Sequence, residues 1–228
     1  MTQPIKVSWV FDIISPFAYL GFHDLKRLPA GVEIEFVPVL LAAMLSHYGQ
    51  MGPAEIPPKR RFTYRFVVWR ARQAGIRLRF PPAHPFNPLA ALRLVIAAGS
   101  DARATELVLD AVFRDGRDVS DPKVIAELAG SLGVADPQRA LSDPQVKERL
   151  RHNTDWALAR GVFGVPTLVI GTEAFWGQDA FAMALDYLKN PGAFGDAQMQ
   201  AADTLPVGVV RERSAAAGAL KRPPEAGS

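Results

Sequence analysis

The sequence predicts an α/β domain interrupted by a helical insertion. Three observations point there. The chain opens with a strand–helix–strand run, its middle is a long succession of amphipathic helices, and strand signals return only at Thr167–Ile170, ahead of a last helix. Strand, helix, strand is a βαβ unit, and such a unit calls for a parallel pair in a layered α/β fold.

In order along the chain, Val7, Trp9 and Phe11 alternate with Lys6 and Ser8, the period-2 pattern of a strand. Pro16–Leu28 carries Phe17, Leu20, Leu25 and Leu28 at helical spacing. Val32, Ile34 and Phe36 then alternate with Glu33 and Glu35, as in a half-buried strand near a sheet edge. Pro58–Gln73 reads as a basic, aromatic amphipathic helix, and Asn87-Pro88 starts another with a cap followed by proline. Helices follow over Asp101–Phe113, from Ser120-Asp121-Pro122 to Leu132 with a stop at Gly133, and from Ser142-Asp143-Pro144 to about Ala159. Thr167–Ile170, a turn at Gly171-Thr172-Glu173 and a short strand Ala174–Trp176 lead to a helix from Asp179 to Lys189. The implied division is an α/β domain from residues 1–40 and 160–200, a helical insertion over 41–159, and a loosely ordered Ala-, Gly- and Pro-rich tail over 201–228.

Composition narrows the chemistry. The chain has 228 residues, 49% hydrophobic and 21% charged, with a net charge of +3 and no cysteine. That excludes disulfides, zinc–thiolate and iron–sulfur centres and any thiol nucleophile of its own, and no metal site is expected. Arg93 interrupts the best apolar run, Leu89–Ala98, so no membrane span is expected. The start, Met1–Pro4 running into a strand, lacks the plan of a secretory leader, which implies a cytoplasmic protein.

Three segments could carry chemistry. In Asp12–Gly21 a strand ends, Ser15 takes a helix N-cap position and Pro16 the first turn. This is either a plain cap or an anion site built from first-turn N–H groups and the helix dipole. In Arg160–Thr167 a Val165-Pro166 pair precedes a strand, as a cis proline or a trans one. In Phe175–Asp179 a hairpin meets a helix, where Asp179 is a cap or a carboxylate for a ligand ammonium. Arg60, Arg61, Arg65, Arg70 and Arg72 interleave with Phe62, Tyr64, Phe66 and Trp69, read as a solvated basic face over a core-facing aromatic stripe rather than a nucleic-acid site.

Phe11–Leu20, His84–Arg93, Gly161–Thr167 and Phe175–Asp179 together resemble the thioredoxin-like fold with an inserted all-helical domain, as in DsbA-type oxidoreductases. More closely they are similar to its glutathione-using branch, the kappa-class glutathione transferases and the 2-hydroxychromene-2-carboxylate isomerases. The resemblance spans roughly residues 5–190 and implies glutathione as cofactor, a small aromatic carboxylate as substrate and a homodimer. Ser15 and Ala18 stand in the slots of the redox C-x-x-C, so thiol–disulfide exchange by the protein is excluded and the sulfur must come from bound glutathione.

The same resemblance implies that Ser15 donates to that sulfur, that Val165 before Pro166 offers backbone groups to the cysteinyl moiety, and that Gln178 and Asp179 hold the γ-glutamyl end. Gln50 and Lys59 match further glutathione contacts, and Phe17 and Asn87 the substrate pocket. Phe66 departs from an acidic position common in relatives. Asn87 could equally cap its helix, while His84 reads as a loop histidine, and His23, His47 and His152 are given no role. The implied activity is a glutathione-dependent isomerase. The alternatives are a kappa-type transferase and a non-catalytic thioredoxin-fold binding module.

Overall fold

A computed structural model describes residues 4–209. Its four-stranded sheet has the order β2-β1-β3-β4, from β1 (Ile5–Phe11), β2 (Val32–Pro38), β3 (Thr167–Ile170) and β4 (Glu173–Trp176). β1 lies in the middle because Val7, Trp9, Val10 and Phe11 are buried, covering it on both faces. It pairs parallel with β2, Val7 opposite Ile34, and antiparallel with β3, Val10 opposite Thr167. Glu33 and Glu35 on β2 and Glu173 on β4 keep the two edges charged, which discourages further strand pairing.

The connection between the parallel strands is α1 (Pro16–Asp24), and it explains one face of the core. Trp9 stacks on Phe11 at 4.6 Å and meets Phe22 of α1 edge-on at 5.8 Å. On the other face Val10 joins Val37, Val39, Met44, Ala157, Val162, Val165 and Val169. That cluster brings together the strands, α2 (Leu41–His47) and α8 (Pro144–Leu158). Hydrogen bonds tie the same junction, because Asn153 Nδ2 donates to Pro38 O at 3.1 Å and Leu40 N–H donates to Thr154 Oγ1 at 3.1 Å.

Between α2 and α8 run α3 (Pro57–Gln73), α4 (Leu89–Ala97), α5 (Ala102–Phe113), α6 (Pro122–Ser131) and α7 (Pro137–Ser142). Asp101, Asp121, Asp136 and Asp143 cap α5 to α8, each carboxylate taking a first-turn N–H, and proline follows three of them. After β4 comes α9 (Phe181–Lys189), which starts two residues later than the spacing predicts and leaves Asp179 in the preceding turn.

Among the described residues, 4–189 form one compact unit and 190–209 another. Within the second, α10 (Ala197–Asp203) is capped by Asp196, whose carboxylate accepts from Gln198 N–H and Met199 N–H. Most of the expected tail, residues 210–228, lies outside the described residues. Among the described residues no helix is long and apolar enough to cross a membrane.

The aromatic stripe expected to face the core on α3 is corrected. Only Val67 and Ala71 of this helix are buried, while Phe62 is 66% and Trp69 53% exposed. Phe62, Phe66 and Trp69 stack on one another along the outside, with interplanar angles of 11° and 18°. α5 explains the difference. It supplies seven buried residues and takes the core position that α3 was expected to share.

Candidate functional site

The site is assembled where β1 ends. Asp12, fully buried, accepts from Ile14 N–H at 3.0 Å through Oδ1 and from Leu41 N–H at 2.8 Å through Oδ2. One carboxylate thus shapes the turn before Ser15 and holds the first residue of α2. Burial raises its pKa to about 7 against the pull of these two donors. The turn is completed by Ser15 N–H donating to Asp12 O at 3.0 Å.

Ser15 is the N-cap of α1, its Oγ accepting from Ala18 N–H at 3.2 Å. The same hydroxyl donates to Val165 O over 3.5 Å, a long bond that leaves its proton easily redirected. Pro16 has no N–H, and Ala18 is taken, so among the described residues the N–H of Phe17 is uncommitted at the positive end of the helix.

His84 props the turn from the insertion. Its Nε2 lies 2.7 Å from Ile14 O and its Nδ1 2.7 Å from the Tyr64 hydroxyl on α3. A carbonyl can only accept, so Nε2 carries the proton and Nδ1 accepts from Tyr64. Burial lowers the His84 pKa, favouring this neutral form, and both ring nitrogens are occupied. This agrees with a loop histidine rather than a base.

Across from Ser15, the Val165–Pro166 peptide is cis. Pro166 packs on Gly21 of α1, where a Cβ would stand 3.4 Å from the proline Cγ. Gly164 is held just as closely, since a Cβ there would fall 2.5 Å from Trp176 Nε1. These contacts bring α1, the proline turn and the β4–α9 turn together around a cavity of about 190 Å³. Phe17, Val165, Gln178 and Asp179 line it, as do Phe66, Arg70, Trp176 and Gly177.

Of the residues singled out from the sequence, Phe17, Val165, Gln178 and Asp179 line this cavity, while Ser15 and Pro166 adjoin it through Val165, the one by its hydroxyl on Val165 O and the other by the cis peptide. Asp179 caps nothing, because among the described residues no backbone N–H donates to its carboxylate, and α9 begins only at Phe181. Gln50, Lys59 and Asn87 do not line this cavity. Gln50 follows α2, with its N–H on Leu45 O at 2.8 Å, and Lys59 is exposed in the first turn of α3. Asn87 Oδ1 accepts from Leu89 N–H at 3.0 Å, but the N-cap of α4 is Pro88, so the expected cap is displaced by one residue and Asn87 closes the turn before the helix.

Arg70 is the residue that sequence reasoning passed over. It was grouped with a solvated face, yet its Nη2 donates to Gln178 Oε1 at 2.8 Å. Phe66 and Arg70 are four apart on α3, so a helix that turns one to the cavity turns the other there too. That spacing was the available signal.

Comparison with known proteins bears on the family and the fold. The family model described as a DSBA-like thioredoxin domain matches residues 6–189. The chain is 31% identical over 190 residues to 2-hydroxychromene-2-carboxylate isomerase of Pseudomonas putida, covering 78% of this chain and 91% of that one. It is 28% identical over 207 residues to glutathione S-transferase kappa 2 of Caenorhabditis elegans, covering 81% and 92%. A solved structure of 2-hydroxychromene-2-carboxylate isomerase superposes with a TM-score of 0.74 at 27% identity, over 85% of this chain and all of that one.

Proposed function

The chain belongs to the DsbA-like thioredoxin-domain family, with 2-hydroxychromene-2-carboxylate isomerases and kappa-class glutathione transferases among its relatives, and from that premise we propose that it is a glutathione-dependent isomerase. Its substrate is a small aromatic carboxylate of the kind met in aromatic-hydrocarbon catabolism, and the reaction interconverts 2-hydroxychromene-2-carboxylate and trans-o-hydroxybenzylidenepyruvate or a close analogue.

One observation carries the reading. A helix N-terminus that in redox relatives presents cysteines here presents a serine hydroxyl across from Val165, in a chain with no thiol. The donor set fits glutathione. The backbone of Val165 beside Pro166 suits the cysteinyl moiety, and the Gln178–Asp179 turn, with its carboxylate bound to no described backbone donor, suits the γ-glutamyl end. Gln50 and Lys59 lie outside the cavity, where they would serve the glycyl end, and Phe17 and Asn87 would face the second substrate.

Glutathione held there by Ser15, Val165 and the Gln178–Asp179 turn would supply a thiolate nucleophile suited to reversible addition at an unsaturated carbon, the chemistry that a cis–trans isomerisation needs. A model thiol has a pKa of about 8.5 and is only slightly ionised at neutral pH. The Ser15 proton, redirected from Val165 O, and the dipole of α1 both favour the ionised form. Ser15→Ala should therefore still bind glutathione but raise the bound thiol's pKa and slow turnover on the order of 10- to 100-fold. Thiolate absorbance followed against pH, together with the rate, checks this. Unchanged values for both would remove Ser15 from the mechanism.

The 28% identity to a kappa-class transferase supports a second reading, conjugation of electrophiles at the same site. Product analysis separates the two, an isomerised product for one and a stable glutathione adduct for the other. A calorimetric titration with no glutathione binding would instead favour a non-catalytic thioredoxin-fold module. The isomerase reading also makes the protein a cytoplasmic homodimer.

A further inference from the structure

Arg70 and Asp179 line the same cavity without pairing with each other. We infer that Arg70 is a specificity-determining residue of this site. Its guanidinium takes the α-carboxylate of a ligand's amino-acid end while Asp179 takes the α-ammonium, and Gln178 is the positioning residue that holds the guanidinium in place. The inference rests on the glutathione reading and deepens it, because it gives the α-carboxylate of the γ-glutamyl end to a cation on α3 rather than to the Gln178–Asp179 turn alone.

The hydrogen-bond pattern around Gln178 requires this shift. Its Oε1 accepts from Arg70 at 2.8 Å and its Nε2 donates to Asp24 Oδ2 at 2.8 Å. A donor on one side and a carboxylate on the other fix which end of the amide is which. With the amide oriented by both neighbours, turning it toward a ligand would break two bonds. Asp24 is itself balanced by Arg27 at 3.0 Å. Arg70 has only the neutral amide, and among the described residues no carboxylate pairs with it.

The Arg70 charge is thus held in position but not neutralised. Its guanidinium carbon lies 5.8 Å from the Phe66 ring centroid, which restricts the guanidinium on that side and leaves its remaining N–H groups for the cavity. A positive and a negative group around one small space match a zwitterion. A ligand end carrying one charge leaves the other protein group without its partner.

The test uses the full chain and calorimetric titration with two probes, glutathione and its analogue amidated at the γ-glutamyl α-carboxylate. The wild type should prefer glutathione by on the order of 10- to 100-fold. Arg70→Gln should lose a similar factor for glutathione and bind the two probes alike, and Arg70→Lys should recover part of the loss. Equal binding of the two probes by the wild type overturns the inference without any variant. So does an Arg70→Gln chain that keeps the wild-type preference, which would make the residue merely structural. A wild type that binds no glutathione overturns the glutathione reading and this inference with it, whereas the other two failures leave that reading standing.

Discussion

At Asp12 a carboxylate with no access to solvent is satisfied by two backbone N–H groups and still has its pKa raised from 3.8 to about 7. The folded chain holds a proton there that the unfolded chain releases above about pH 4. The Asp12 contribution to stability is therefore fully present below pH 4 and is lost as pH rises toward 7. Asp12→Asn cannot titrate, so the stability difference between wild type and variant should narrow from pH 5 to pH 8 in urea denaturation. A difference independent of pH would contradict the burial argument. Gly177 makes the second case at this scale, with φ of +91° and a Cβ position 2.5 Å from Asp179 Oδ1. Gly177→Ala should cost about 1–2 kcal/mol of stability and also weaken glutathione binding by displacing that carboxylate, both measurable by melting and titration. Ser15, Val165-Pro166 and Asp179 were legible in the sequence because each belongs to a local turn with its own residue chemistry. The Arg70–Gln178 hydrogen bond was not, since the two residues lie 108 positions apart and no local pattern encodes that pairing.

Among the elements, the strands and the longer helices follow from periodicity, and their caps from the Asp-Pro pairs. The helices missed, α2, α7 and α10, have 7, 6 and 7 residues. Fewer than two full turns is too little for a 3.6-residue period to show. α3 was found, but its orientation was not, because an amphipathic pattern marks a stripe without saying what covers it. The link between α3 and α1 runs through His84, by way of Tyr64 on one side and Ile14 O on the other. His84→Phe keeps the aromatic packing against Phe80 and Phe113 and the Tyr64 hydroxyl's bond to the residue-84 carbonyl at 2.9 Å, but deletes both bonds of the imidazole ring. It should lower stability by about 1–3 kcal/mol and speed amide hydrogen exchange in the first turn of α1, with little change in the last turn of α5. Uniform exchange throughout would mean that His84 does not support the turn.

For the whole molecule, the sheet order and the inserted helices make the DsbA-like fold, and along α3 the exposed rings of Phe62 and Trp69 stack on half-buried Phe66. Were the proposed homodimer to form through this face, these rings would be its contact. Phe62→Glu with Trp69→Glu should then shift sedimentation from dimer to monomer while leaving the melting of the compact unit nearly unchanged, and a double variant that stays dimeric would place the contact elsewhere. The small number of bonds that join the turn before Ser15 to the rest of the chain has a different consequence, for exchange of parts between relatives. Leu41 N–H reaches Asp12 from the start of the insertion, and His84 reaches Ile14 from its middle. A chimera that grafts in another protein's helical segment changes the cavity wall supplied by Phe66 and Arg70 and the support of this turn in one step. A graft that retained Leu41, Tyr64 and His84 would leave this turn its scaffolding, whereas one chosen only to match the outline of the pocket would remove the ground on which the serine stands.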